Sequence, residues 1–200
     1  MSVHSGADRR HGRGRRGADA YRGGLRANNE SMISLDSVLN SWKTIREDTA
    51  QAVEDFSAQA LDYKPSADLM SFGDIAQHVL QAGHALTSLM LDGVDNMATP
   101  DFRQTMGKYV AELPKTESAA ALARELRSRL QSDAARLAAK PAEFFAGEIT
   151  RFDGQRVTRL EMLQGIKEHE LTHRQQLFMY LRLKGIVPPT TRRRQAKANA

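Results

Sequence analysis

The sequence predicts an all-α four-helix bundle with a short β-hairpin before its last helix and disordered basic tails. Three observations carry that expectation. Four long segments repeat their apolar residues with the 3.6-residue period of a helix. One stretch alternates at the two-residue period of a strand, and it surrounds Asp153-Gly154, a hairpin turn signal. Both ends of the chain lack an apolar period and are rich in Arg.

The helices follow in order. Residues 35–56 place Leu35, Val38, Leu39, Trp42, Ile45, Thr49, Val53 and Phe56 on one stripe. Residues 71–91 do so with Phe72, Ile75, Val79, Ala82, Leu86 and Leu89. Residues 117–139 turn Leu122, Leu126, Leu130 and Leu137 inward and Arg124, Arg127 and Arg129 outward. Residues 158–184 open on Thr158-Arg-Leu-Glu161, a capping-box spacing, and stop at Gly185 with Pro188 beyond. The connection 92–116 holds Gly93, Pro100, Gly107 and Pro114, with room for a short helix near 101–112. Residues 148–157 form the expected hairpin, and Tyr63-Lys64-Pro65 an extended turn.

The domain boundaries follow from composition. Residues 1–31 repeat Arg and Gly and read as a disordered tail, 32–189 as the bundle, and 190–200 as a second disordered basic tail. Met32, just before the first amphipathic segment, is the expected true start. Of the net charge of +5, the segment 1–31 carries +4 and 184–200 carries +5, so the body is mildly acidic at −4. The basic balance therefore belongs to the tails and argues against a nucleic-acid-binding fold. With 40% apolar and 26% charged residues, the composition is that of a soluble globular protein. No apolar run is long enough for a membrane span, and no apolar leader opens the chain; the expected location is the cytoplasm. The absence of Cys excludes disulfides, thiolate metal sites and Cys nucleophiles.

The chemistry concentrates in four His of the body: His78 and His84 on the second helix, His169 and His173 on the fourth. His169 and His173 continue the inward line Met162, Ile166, Leu177, Tyr180, where Leu or Ile would be expected. At i and i+4 both rings point to one locus. His78 shares the inward stripe of the second helix. Buried imidazoles need partners, and one divalent ion serves three of them; the alternative is ordinary hydrogen bonding in the core. Three imidazoles with open positions suit zinc, nickel or iron. His84 lies on another face and is expected at a second face or the surface.

Residues 169–173 read His-Glu-Leu-Thr-His, the H-E-x-x-H pattern of zinc proteases, with Glu170 as candidate base. The rest of the chain argues against proteolysis. No acid follows Glu170 and no His follows His173, and Gln176 and Met179 stand where the extended protease motif has Gly and His. Glu170 therefore has two readings: a group that orients a ligand or moves a proton, or a salt-bridge partner of Arg174 at i+4. Gln176 is expected to hydrogen-bond near His173. Trp42 and Tyr180 either line the mouth of the pocket or pack in the core.

His169-Glu-Leu-Thr-His173-Arg-Gln-Gln176, followed by Tyr180-Leu-Arg-Leu-Lys-Gly185-Ile-Val-Pro-Pro189, resembles the end of a DinB/YfiT-like domain. Tyr63-Lys64-Pro65 and Ser71-Phe-Gly-Asp-Ile-Ala-Gln-His78 extend the resemblance over about 35–189. The resemblance implies a four-helix bundle binding a divalent metal through His78, His169 and His173, and a homodimer. It also implies thiol-dependent transfer chemistry with mycothiol, bacillithiol or glutathione on a small-molecule substrate. Gln175 departs from the family's small residue after His-Arg. Two alternatives stay open: a non-catalytic metal- or ligand-binding dimeric module, and a metal-dependent hydrolase using Glu170.

Overall fold

Among the residues that the computed structural model describes, 33–56, 61–114 and 118–199, seven helices and one hairpin are formed. The expected tail 1–31 lies outside these residues. Helix α1 (Leu35–Asp55) and helix α2 (Phe72–Leu91) come first, then the short α3 (Phe102–Ala111) and the long α4 (Ala119–Ala138). After α5 (Ala142–Ala146), strands β1 (Glu148–Thr150) and β2 (Arg156–Thr158) form the hairpin. Helices α6 (Arg159–Leu183) and α7 (Pro189–Ala198) end the chain.

Local chemistry sets these boundaries. Ser71 and Asp74 form a capping box that starts α2. Thr158 and Glu161 form the expected one that starts α6. Gly185 ends α6 in the left-handed region, with φ 74°. Gly154 turns the hairpin with φ 80°, so that Ile149 pairs Val157 in an antiparallel register. The backbone of Thr150 also bonds Asp95 and Met97, both at 2.7 Å, which ties the loop after α2 to the hairpin.

The neighbours around the bundle run α1, α4, α2, α6 and back to α1, with α1 and α2 across a diagonal. Two apolar clusters fill it. One gathers Phe56, Phe72, Leu126, Leu177 and Leu181; Phe56 and Phe72 stack with ring centroids 3.8 Å apart. The other gathers Trp42, Leu89, Met97, Leu137, Ile149 and Leu163. Between their contributions to α1 and α6 lie Arg46, Asp48, Thr49 and Glu170, all buried. The bundle therefore carries a polar layer between two apolar ones. No helix among the described residues is long and apolar enough to cross a membrane.

Two expectations are corrected. The segment 190–200, read as a disordered basic tail, is helical in α7 through Ala198. Pro189 occupies the first turn, where its missing N–H costs nothing. Arg192 then pairs with Asp55 at 2.6 Å and Arg193 with Asp48 at 2.6 Å, both on α1. Two residues of the basic run are thus matched by acids far upstream. His84, expected at a second face or the surface, does face away from the three-His cluster, but it is buried. Its Nδ1 lies 3.1 Å from an Asp133 oxygen on α4.

Candidate metal centre

Helix α2 presents His78 and helix α6 presents His169 and His173 to one point. The Nε2 atom of His169 lies 3.1 Å from Nε2 of His78 and 3.1 Å from Nε2 of His173. A metal–imidazole bond of about 2.1 Å puts two ligand nitrogens about 3.0 Å apart at right angles and about 3.4 Å apart in a tetrahedron. These two separations fall in that interval, and the three ligand nitrogens all lie within 4.8 Å of one another, so the cluster could hold a divalent ion.

The protonation states also fit. Burial, and then the neighbouring His173 and His78, push the pKa of His169 down to about 4. Burial and His173 push His78 in the same direction. Both rings are neutral at neutral pH and carry a lone pair to donate. His173 Nδ1 lies 2.7 Å from Gln176 Oε1. With the amide oxygen as acceptor, the ring proton sits on Nδ1 and Nε2 is free to ligate. Gln176 thus supports a candidate ligand, as its spacing suggested.

The His pair does not lie on the core line of α6. His169 and His173 are half-buried at the edge of the bundle, whereas Glu170 is 2% exposed and points into the polar layer. Sequence reasoning had these positions reversed.

Glu170 is fully engaged. Arg46 Nε and Nη2 donate to its two oxygens, each at 2.8 Å. Trp42 Nε1 donates to Oε2, and the Thr49 hydroxyl lies 3.0 Å from Oε1. Arg46 Nη1 donates onward to the Leu126 carbonyl at 2.8 Å. The expected Arg174 partner is replaced: Arg174 Nη1 donates to Asp48 at 3.0 Å. Trp42 and Tyr180 belong to the core, and the Tyr180 hydroxyl donates to the Met70 carbonyl at 3.0 Å. Arg46 and Asp48 are residues that sequence reasoning missed, while Thr49 was placed on the inward stripe without a role. Arg46 and Thr49 continue the turn after Trp42 on the inward side, which was the available signal.

A cavity of about 350 Å³ opens beside the centre, with His169 in its wall. Leu86, Met162 and Ile166 are among its apolar lining residues, with Phe152 from the hairpin tip. Sequence reasoning did not find this cavity, which needs the hairpin and two helices at once.

A four-helix bundle that gathers three imidazoles from two helices beside a small cavity defines a class, the helical proteins with a candidate three-His metal centre. Within it, the chain belongs to the DinB family, whose model matches residues 28–199. A solved DinB-like protein from Bacillus subtilis is 24% identical with a TM-score of 0.57, over 74% of this chain and 91% of that one. Another, from Bacillus cereus, is 17% identical with a TM-score of 0.59, over 77% of this chain and 95% of that one. At these identities the likeness concerns the fold. Comparison with curated proteins gives no match.

Proposed function

We propose that the protein holds one divalent ion on His78, His169 and His173 and transfers a low-molecular-weight thiol to a small electrophile. The observation that carries the metal reading is the pair of 3.1 Å separations between Nε2 atoms contributed by two helices. Zinc, nickel and iron each accept this donor set. An ion bound there supplies Lewis acidity, which favours the thiolate over the thiol at neutral pH. In the transfer the thiol gives its proton to solvent, its sulfur bonds to the electrophilic carbon, and a halide leaves.

The chain's own residues prepare this chemistry. Gln176 fixes the tautomer of His173. Burial keeps His169 and His78 neutral. Arg46, Trp42 and Thr49 hold Glu170 and so set the rotation of α6 that turns its His pair outward. The role of Glu170 in this proposal is structural: a carboxylate with this many donors is poorly placed to act as a base. That weighs against the hydrolase alternative. The cavity is of small-molecule size, within the range of about 300–1,000 Å³ typical of ligand sites. A homodimer is part of the proposal and is checked by the mass in solution.

The test is metal content first. Protein purified without an affinity tag should carry one divalent ion per chain, and His169→Ala with His173→Ala should carry none; full retention in that double variant would sink the site. Turnover comes second. Metal-loaded protein given glutathione, bacillithiol or mycothiol with a haloaromatic should form the conjugate, while no conjugation with any thiol would favour a binding module without turnover.

A further inference from the structure

The cavity beside His169 has a wall whose charges point to what it can hold. Three charged side chains line it, Arg151, Glu161 and Glu168, and each already has a partner. Arg151 pairs with Asp153 at 3.0 Å. Glu161 accepts the Thr158 backbone N–H at 2.7 Å and its hydroxyl at 2.8 Å in the cap of α6. Glu168 accepts from Gln164 at 2.6 Å. With Arg151 balanced by Asp153, two carboxylates remain uncompensated, so the rim is net negative. The one Arg or Lys in the wall, Arg151, is already shared with an acid. Apart from Thr172 and His169 the remaining lining side chains are apolar, and Phe152 among them stacks on Phe102, with centroids 5.8 Å apart and planes at 18°.

Gly165 has a particular place here. It lies within the 25-residue helix α6, one turn before His169, and lines the cavity. A Cβ built on it would meet no atom within 4 Å. Glycine in a helix interior lowers helix stability, and nothing packs against this one to require it. Its effect is to leave open the space that leads to His169.

We propose that this cavity takes the apolar body of the electrophile, a small molecule of about benzyl size without negative charge, and that Gly165 sets the size it admits. Glutathione and bacillithiol, which carry carboxylates, would then approach the centre from another side. The assignment rests on that function for the word electrophile, and on cavity shape and charge alone for what binds.

Binding is measured by ligand-detected NMR on the full, metal-free chain, so that no carboxylate can gain from coordinating an ion. Benzyl alcohol should bind saturably and benzoate at least tenfold more weakly. Gly165→Leu should weaken benzyl alcohol at least tenfold while keeping the zinc stoichiometry of the wild type. If that variant does not fold, Phe152→Ala at the exposed hairpin tip should weaken binding several-fold. Benzoate binding as tightly as benzyl alcohol would overturn the proposal, and so would benzyl alcohol affinity unchanged in the folded variants. A failure of the metal reading shows separately, as wild-type protein that takes up no zinc.

Discussion

Glu170 and His169 are adjacent in the chain and, about 100° apart around one helix, serve different faces of it. Removing the carboxylate with Glu170→Ala strands a buried guanidinium, since Arg46 is 3% exposed. The expected loss is about 3–5 kcal/mol of stability, read as a lower melting temperature. A catalytic base would instead show lost turnover at unchanged stability. Gln176 acts on the centre through His173, so Gln176→Ala should weaken zinc binding by roughly 10–100-fold and leave one site per chain, measured by competition with a chelator. The pH dependence has a defined sign. An unfolded His titrates near about 6.5, whereas folded His169 is held down at about 4. Between those values the unfolded chain binds a proton that the folded one does not. Metal-free protein should therefore be most stable above about pH 6.5 and lose stability as pH falls toward about 4. His78 adds to this in the same direction. Melts across that range should slope less for His169→Ala. The clustering of His78, His169 and His173 was legible in the sequence because His at i and i+4 project from one side of a helix, although that side proved to be the edge of the bundle rather than its core line. The role of Glu170 was not, because Arg46 lies 124 residues away and only the fold brings them together.

At the scale of elements, the long helices were legible because each buries one stripe and ends on a recognisable cap. Helix α7 was not, since Arg192 and Arg193 look solvated until Asp55 and Asp48 on α1 are set against them. Deleting residues 189–200 would expose Asp48 and Asp55 and leave Arg174 as the one partner of Asp48 among the described residues. Arg192 and Arg193 are themselves partly exposed, so the deletion should cost no more than about 1–2 kcal/mol, and less at high salt. Equal losses at low and high salt would show that the helix docks by packing instead. At the other end of the bundle, Thr158→Ala removes the cap of α6 and should cost about 1 kcal/mol.

For the whole molecule, the candidate centre bridges α2 and α6 across 91 residues of chain. Zinc at about a thousand times its dissociation constant should raise stability by about 4 kcal/mol, and His78→Ala should abolish the gain. The polar layer between the two apolar clusters has a further consequence. Oily side chains alone would tolerate α6 sliding by one turn, about 5.4 Å, since one leucine replaces another with little penalty. Such a slide would carry Glu170 away from Arg46 and bury both charges unmatched. The pair thus works as a registration mark that makes misaligned bundles costly. Replacing Arg46 with Met and Glu170 with Leu together removes both charges and should cost less stability than Glu170→Ala alone, yet blur the single set of sharp amide resonances into several.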